Sequence, residues 1–303
     1  MARYINDGST REPRLLVYIN EDNLTELRAK SAWPGLSGAD RVRRLRVDGF
    51  EGLQVTGADL PPVGSIPTCG CDRISIPDEA DPVVARHLER GDVGLTVHAG
   101  WGIEDDDEVF RLVEAILAAS DRYRLPVFVE THRSTITQDM WRTVRIVERF
   151  PELLLNGDFS HFYTGQEMVY GGMERKLAFM APIFARTGFM HGRISSPGCM
   201  QVPVEDPQRR PVQAHGEIDY LEHYREMWTL AMEGFLRAAG PGDVLVFAPE
   251  LLSGRYYYAR LFPDAAGRLV EESDRYEQAL LYQRIARACF AAAQERLARR
   301  SPS

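Results

Sequence analysis

The amino-acid sequence predicts an α/β protein that folds as a single (β/α)8 TIM barrel over residues 1–303. Short apolar segments rich in β-branched residues alternate with longer segments of helical periodicity along almost the whole chain, which indicates parallel strands joined by helices. Seven or eight such units in 303 residues are typical of a closed barrel. The rival fold is an open doubly wound sheet, but no G-x-G-x-x-G motif follows the first predicted strand.

The predicted strands are short runs of apolar residues bounded by turn-forming residues. They cover residues 15–19, 52–56, 93–98, 127–130, 153–156, 188–191 and 244–248, with a weaker eighth strand near residues 63–67. The spacing before this weaker strand leaves no room for a full crossover helix. The second and third units of the barrel are therefore predicted to be compressed.

The predicted helices fall between and after these strands. They cover residues 38–47, 81–89, 105–122, 139–150, 166–186, 220–239 and 273–299. In the third helix, Val109, Leu112, Val113 and Ile116 recur at helical spacing, and the acidic residues near its start suit a helix N-terminus. Residues 195–216 are Pro-rich and aperiodic, which predicts a long loop after the seventh strand, over the mouth of the barrel.

Composition and charge exclude several classes of partner. The net charge of −8 and the pI of about 5.5 argue against a nucleic acid. No apolar run approaches the length of a membrane span, and the first residues lack the apolar segment of a signal peptide. The four cysteines include one C-x-C and no zinc-finger spacing, which favours free thiols. We therefore expect a cytoplasmic protein that binds neither nucleic acid nor a membrane.

Four polar side chains follow the last four predicted strands: Glu130, Asp158, His191 and Glu250. In a barrel these strand ends converge on one face, and three carboxylates brought together there would need protons or a cation. Carboxylates and a neutral imidazole are suitable ligands for Mn²⁺, Mg²⁺, Co²⁺ or Zn²⁺. Any one acidic residue after a strand is more often a helix cap or part of a turn. Four such residues, one at the end of each of the last four predicted strands, favour a divalent metal site.

This arrangement resembles the xylose isomerase-like TIM-barrel superfamily, in particular its sugar (phosphate) isomerase/epimerase group. Members of that group carry a Glu, Asp, His, Glu metal set, which corresponds to the four residues above. The sequence "DFSH" matches a further usual feature, a His three residues after the Asp, at His161. The sequence "HGR" places Arg193 shortly after the metal-binding His, and "ETH" is similar to the "ENH" of many members. The resemblance is strongest from about residue 93 to residue 251.

The resemblance implies an isomerase or epimerase that needs one divalent metal ion, with Mn²⁺ favoured over Mg²⁺, Co²⁺ and Zn²⁺. The substrate would be a sugar or a related keto or polyol compound. A proton would be removed beside its carbonyl group, through a metal-stabilised enediolate. Glu130 and Glu250 would be the acid/base pair as well as metal ligands. His161 and Arg193 would hydrogen-bond the substrate oxygens.

Three further residues near the predicted barrel mouth are candidates for contact with the substrate. His98 ends an earlier strand, although a structural role is an equal alternative. His132 follows Glu130 closely and could orient it or a metal-bound group. Trp101 could form an apolar wall for a sugar, or it could pack in the core.

Three other functions remain open at this stage. The first is a lyase on the same scaffold, of the dehydratase or C-glycoside deglycosidase type, because elimination begins with the same proton removal. The second is a nuclease like the class IV AP endonucleases, which the acidic charge and the seven histidines disfavour. The third is a non-catalytic sugar-binding barrel, which has no need of two carboxylate bases. We expect a small carbohydrate-like substrate and a homodimer or homotetramer.

Overall fold

Eight parallel strands close into a barrel in the computed structural model, which describes residues 4–56, 64–205 and 219–300. The strands in chain order are β1 (Ile5–Asn6), β2 (Arg14–Asn20), β3 (Gly52–Val55), β4 (Thr68–Ile74), β5 (Leu95–Ala99), β6 (Val127–Glu130), β7 (Leu154–Asn156), β8 (Thr187–Gly192) and β9 (Asp243–Pro249). Each strand from β2 to β8 pairs in parallel with the next, and β9 pairs with both β8 and β2. The predicted (β/α)8 barrel is confirmed.

The helices connect successive strands, as a parallel barrel requires. They are α1 (Gly38–Val47), α2 (Ala80–Arg90), α3 (Asp106–Tyr123), α4 (Met140–Arg149), α5 (Ser160–Gly165), α6 (Met173–Phe179), α7 (Ala181–Phe184), α8 (Tyr220–Ala238) and α9 (Arg275–Arg300). Asp105 and Glu108 form a capping box at the start of α3. The face of α3 that the sequence predicts as apolar is buried. Among the described helices, none combines the length and the apolarity that crossing a membrane requires.

The barrel interior has an apolar layer beneath a polar one. Side chains two residues apart in a strand point to the same face. When an apolar side chain points into the barrel, the side chain two positions later therefore also points inward, one layer closer to the C-terminal mouth. Tyr18, Phe128, Leu154 and Phe189 form part of the inner apolar cluster. The residues two positions later are buried and polar: Asn20, Glu130, Asn156 and His191. The polar layer therefore lies at the C-terminal ends of the strands, where a barrel places its chemistry.

The structure corrects two predicted elements. The third barrel strand is β4, whereas the sequence analysis places a weak strand at residues 63–67; residue 63 lies outside the described residues. The predicted helix over residues 166–186 is wrong in extent, because helix begins already at Ser160 and is interrupted before α6 and between α6 and α7. Gly171 and Gly172 have positive φ angles, and Pro182 lies in the first turn of α7, which explains both interruptions.

Two elements were not predicted. Strand β1 runs antiparallel to the barrel and pairs with β9, and its Ile5 fills the N-terminal end of the inner cluster. A two-stranded antiparallel hairpin, β10 (Leu261–Pro263) and β11 (Leu269–Glu271), follows the last barrel strand. Of the predicted mouth loop, residues 206–216 lie outside the described residues, and residues 195–205 form irregular chain.

A buried imidazole joins α2 to β4 and to the turn before β5. His87 Nδ1 lies 2.7 Å from Asp92 Oδ2, and His87 Nε2 lies 3.0 Å from Asp72 Oδ2. The ring occupies the space that a Cβ at Gly70 would need, since such an atom would lie 2.1 Å from Nδ1. Burial lowers the pKa of His87, but the two carboxylates outweigh burial and raise the pKa above its ordinary value of 6.5.

We predict that His87→Gln lowers the free energy of unfolding by about 2 kcal/mol near pH 6, because it removes a charge-assisted hydrogen bond to the buried Asp92 carboxylate, which then keeps only its pairing with Arg90. A raised folded-state pKa contributes stability that is fully present below the unfolded pKa of 6.5 and is lost as the pH rises through the folded pKa. The difference from the wild type should therefore shrink as the pH rises above 6.5. Urea denaturation over a series of pH values from 6 upwards measures it.

His223→Gln is the matched control. Burial lowers the pKa of His223, so its contribution to stability falls as the pH falls, and the difference from the wild type should grow with pH. A pH-independent difference between the wild type and His87→Gln would contradict the assigned role of His87.

Candidate metal centre

Four side chains that the sequence places far apart meet at the C-terminal mouth of the barrel. One ligand atom from each of Glu130, Asp158, His191 and Glu250 lies within 4.8 Å of the other three. His191 Nδ1 lies 3.4 Å from Glu130 Oε2 and 3.3 Å from Glu250 Oε2. All four residues are buried. The structure thus brings together the whole predicted ligand set.

Amide side chains of the polar layer fix the orientation of His191. Its Nε2 atom lies 2.9 Å from Gln54 Oε1, an acceptor, so Nε2 carries the proton. Gln54 is held in turn by Asn20 Nδ2 at 2.9 Å and by Thr96 Oγ1 at 2.8 Å. In the neutral ring this arrangement leaves the lone pair on Nδ1, the nitrogen that faces the carboxylates. Histidine ligands of metal ions are commonly oriented by such a partner on the second nitrogen.

Two more amide contacts orient the glutamates. Asn156 Nδ2 lies 3.2 Å from Glu130 Oε2 and 3.1 Å from His191 Nδ1. Asn20 Nδ2 donates to Glu250 Oε1 over 3.2 Å. The sequence analysis missed Asn20, Gln54 and Asn156. The available signal was their place as polar residues inside otherwise apolar strands.

Arg193 is the cation of the cluster. Its Nη1 lies 3.1 Å from Asp158 Oδ2, its Nη2 donates to the Glu250 carboxylate, and its Nε donates to the Glu250 carbonyl oxygen over 3.0 Å. The guanidinium also lies 4.7 Å from the ring centre of Tyr258, a further residue that the sequence analysis did not assign to the site. The side chain of Arg193 is 1% exposed. Asp158 and Glu250 are therefore paired with a fully buried charge.

The proton affinities of the cluster reflect an excess of negative charge. Burial lowers the pKa of His191, but Glu250 and Glu130 raise it to about 9. Burial raises the pKa of Glu130, but the nearby His191 and His98 outweigh it and hold the pKa well below its usual value. Burial raises the pKa of both Asp158 and Glu250. The site thus favours an additional positive charge, whether protons or a metal ion.

The donor set fits a divalent metal ion. An octahedral ion with bonds of about 2.1 Å separates neighbouring ligand atoms by about 3 Å and opposite ones by about 4.2 Å, and the Nδ1–carboxylate distances above lie in that range. Glu130 Oε1 is buried without a hydrogen-bond partner, which is costly unless a cation is present. With neutral His191, three carboxylates, Arg193 and a divalent ion sum to zero charge.

Asp158 also takes part in the turn at the start of a helix, which the sequence analysis gave as the alternative role for an acidic residue after a strand. Its Oδ1 accepts a hydrogen bond from the Ser160 backbone N–H over 3.0 Å, at the start of α5. Its Oδ2 faces Arg193 and lies 3.5 Å from His161 Nε2. The turn and the cluster use different oxygens of one carboxylate, so the helix-start role of this residue is compatible with the predicted ligand role.

Three imidazoles form a row beside Glu130. The ring centres of His98 and His132 lie 4.2 Å apart, and those of His132 and His161 lie 3.9 Å apart. His161 Nε2 accepts from Arg193 Nη1 over 3.3 Å, so its proton is on Nδ1, which is buried without a hydrogen-bond partner. Burial lowers the pKa of His161 well below its usual value, and it lowers the pKa of His132 to about 3.

Trp101 lies at the rim of the mouth, after β5. Its side chain is exposed, its ring lies under the Arg73 guanidinium at 4.1 Å, and its backbone N–H donates to Glu104 over 2.6 Å. The alternative of core packing is therefore wrong for this residue. The described contacts of Trp101 do not reach the four-residue cluster.

Comparison with known proteins adds support for the fold. No family model and no curated protein matches the chain. The solved structures similar to it include the probable 3-DHS dehydratase AsbF from Bacillus anthracis, which shares 14% identity over 80% of this chain and 94% of that one, with a TM-score of 0.50. At this identity the likeness shows the fold alone. It confirms the TIM-barrel fold.

Two other solved structures are similar at TM-scores below that value. A D-tagatose 3-epimerase-like protein shares 11% identity over 93% of this chain and 99% of that one, with a TM-score of 0.49. A xylose isomerase-like TIM barrel protein from Mycobacterium smegmatis, in complex with magnesium, shares 12% identity over 84% of this chain and 89% of that one, with a TM-score of 0.48.

We predict that Arg193→Gln lowers the free energy of unfolding by about 3 kcal/mol in the presence of a chelator, because it removes the partner of two buried carboxylates. Added Mn²⁺ should restore part of this loss by binding only the folded state. Urea denaturation with and without the ion measures both effects.

Arg255→Gln is the matched control for Arg193→Gln. Arg255 pairs with Glu26 at 3.0 Å, but both side chains are exposed, so its removal should cost at most about 1 kcal/mol. Equal stabilities of the two variants in chelator would show that Arg193 does not balance the cluster.

Proposed function

We propose that this protein is a divalent-metal-dependent isomerase or epimerase acting on a sugar or a related keto or polyol compound. The observation that carries the proposal is the buried set of Glu130, Asp158, His191 and Glu250, whose ligand atoms lie within 4.8 Å of one another. This set lies at the C-terminal face of a barrel, which is where TIM-barrel enzymes carry out their chemistry. Mn²⁺ is the ion we favour, since oxygen-rich sites suit Mn²⁺ and Mg²⁺.

The four residues would hold the ion, with His191 binding through Nδ1. A divalent ion in this position supplies Lewis-acid stabilisation of the negative charge that develops on substrate oxygens. Glu130 and Glu250 extend from β6 and from the end of β9, which lie three positions apart around the barrel. They reach the centre from different sides of the mouth, as one base and one acid acting at a single carbon would need.

Glu130 is the group we assign to proton removal beside the substrate carbonyl. Its Oε2 is held by Asn156, while its Oε1 is buried and has no hydrogen-bond partner. Glu250 would return the proton, to the opposite face for epimerisation or to the neighbouring carbon for isomerisation. His161 Nδ1–H and the Arg193 guanidinium would donate to substrate oxygens. His98, His132 and Trp101 would line the approach to the centre.

Elimination is a second candidate, and the row of imidazoles favours it. Loss of a hydroxyl group from the neighbouring carbon needs a proton for the departing oxygen, which Glu130 would carry after proton removal. The unpartnered Nδ1–H of His161, in the row beside Glu130, would donate a hydrogen bond to that oxygen. A dehydratase or a C-glycoside deglycosidase would share the proton removal with the isomerase. Product analysis separates the two functions.

We predict that the protein, loaded with Mn²⁺ in D₂O, exchanges hydrogen for deuterium beside the carbonyl of its substrate. A panel of ketoses, keto-inositols and 3-keto-glycosides, followed by NMR, identifies the substrate class and whether the product is rearranged or dehydrated. Glu130→Gln should slow the exchange by about 10²- to 10⁴-fold, the usual contribution of a general base. A chelator should abolish it.

Glu89→Gln, at an exposed position on α2, is the control and should leave the exchange rate unchanged. Exchange that persists in Glu130→Gln at the wild-type rate would contradict the role of this residue. Failure of the purified protein to bind any divalent ion would overturn the proposed function. The homodimer or homotetramer expected from the sequence stays a prediction.

A further inference from the structure

A cavity lies at the N-terminal face of the barrel, at the opposite end from the four-residue cluster. Its volume is about 810 Å³, within the usual range for small-molecule sites of roughly 300–1,000 Å³. Its walls come from α2, from the ends of α3 and α8, from the turns before β5, β6 and β8, and from the residues on either side of Ile5 in β1. The N-terminal face of a TIM barrel does not carry the chemistry, so this cavity is separate from the candidate metal centre.

The two carboxylates among the described residues of the cavity wall already have partners. Asp92 Oδ2 lies 2.6 Å from Arg90 Nη2. Asp243 accepts hydrogen bonds from Asn6 Nδ2 over 2.7 Å and from the Gly240 backbone N–H over 2.8 Å. These acidic groups are therefore not available to neutralise further cations in the wall.

The cations of the wall lack such partners. Arg124 and Arg186 both line the cavity, and neither forms an ion pair with a carboxylate in the part of the chain that the structure describes. Burial raises the pKa of the Tyr4 phenol, Arg186 lowers it and Asp243 raises it, so both charged groups lie near the phenol oxygen. Guanidinium groups bind carboxylates and phosphates through paired hydrogen bonds. The cavity thus presents two cations and a hydroxyl group to a ligand.

Arg124 also occupies a backbone position that favours glycine. It follows the last residue of α3 and has a φ of 53°, in the left-handed region where helices commonly end on Gly or Asn. A residue with a Cβ atom is strained in this conformation. The chain therefore has a long cationic side chain where the fold alone favours glycine, which indicates a role for the guanidinium.

Much of the remaining wall is apolar. Val93, Leu125 and Pro126 precede the strands β5 and β6, and the side chain of Leu88 on α2 is 44% exposed although it is apolar. An apolar surface beside two guanidinium groups is complementary to a ligand that has both an anionic group and an apolar part.

We propose that this cavity binds a small organic anion, either a carboxylate or a phosphate monoester, that carries an apolar part. Arg124 and Arg186 bind the anionic group, the Tyr4 hydroxyl donates a hydrogen bond to it, and the apolar part contacts Leu88. The site goes beyond the proposed function and does not depend on it, because none of its residues belongs to the metal centre.

The test is isothermal titration calorimetry of the full chain in the presence of a chelator, so that no metal ion contributes. The probes are phenyl phosphate, benzoate, inorganic phosphate and benzyl alcohol. We expect phenyl phosphate and benzoate to bind once per chain, the tighter of them with a dissociation constant of roughly 1 mM or lower. Inorganic phosphate should bind more weakly because it has no apolar part, and benzyl alcohol because it has no charge. The tighter of the first two probes identifies the anionic group as phosphate or carboxylate.

Substitutions assign the binding to this cavity. Arg186→Gln should weaken the binding of the tighter probe about tenfold or more, because a hydrogen bond to a charged group is lost. Arg124→Gly should weaken binding to a similar extent and raise the midpoint of thermal unfolding by about 2 °C, because glycine relieves the backbone strain. Arg122→Gln is the matched control: Arg122 lies on the same helix but pairs with Asp81, so its replacement should leave the affinity unchanged.

Two results would overturn the proposal. One is the absence of saturable binding of both phenyl phosphate and benzoate. The other is binding that is unchanged in Arg124→Gly and Arg186→Gln but lost in Arg133→Gln, because Arg133 lies beside Tyr258 at the C-terminal mouth. Either result leaves the proposed function standing, whereas failure of the protein to bind a divalent ion overturns that function and leaves the anion site standing.

Discussion

Repulsion among three buried carboxylates is the constraint around which the mouth of this barrel is organised. Glu130, Asp158 and Glu250 converge because parallel strand ends converge, and burial removes the water that would screen their charges. Each is compensated differently: Glu130 by imidazoles and an amide, Asp158 and Glu250 by Arg193. The layer of amides beneath them maintains these contacts without adding charge, and it directs Nδ1 of His191 towards the centre.

The same alternation that builds the strands builds the site. Because side chains two residues apart share a face, the aromatic residues that fill the barrel interior determine where the polar residues above them lie. Phe128 and Phe189 pack against each other, with ring centres 5.8 Å apart, directly below Glu130 and His191. A shift of one residue in either strand would turn the ligand away from the centre and the aromatic residue away from the interior, so packing and function require the same register.

The fold and the four-residue cluster could be predicted because both follow from local patterns: strand and helix periodicity, and polar residues at strand ends. The position of the third strand and the interruptions of the sixth connection could not, since turn residues such as Gly171 and Gly172 allow several paths. Asn20, Gln54 and Asn156 were missed because a polar residue in an apolar strand does not show which side chains it will contact in the folded barrel. The grouping of His98, His132 and His161 depends on three different connections meeting, which is tertiary information. The histidine count alone therefore underestimated how many imidazoles lie near the centre.

The buried pairing of Arg193 has a consequence for how the protein is made. A site composed only of carboxylates would resist closure until a cation arrived, so that folding would depend on the supply of metal ions. Here the chain carries its own cation at the centre, on the strand-end segment that also supplies His191. The barrel can therefore close without a metal ion to balance Asp158 and Glu250. For the proposed metal centre, this would make the abundance of the folded protein independent of how much of it holds a metal ion.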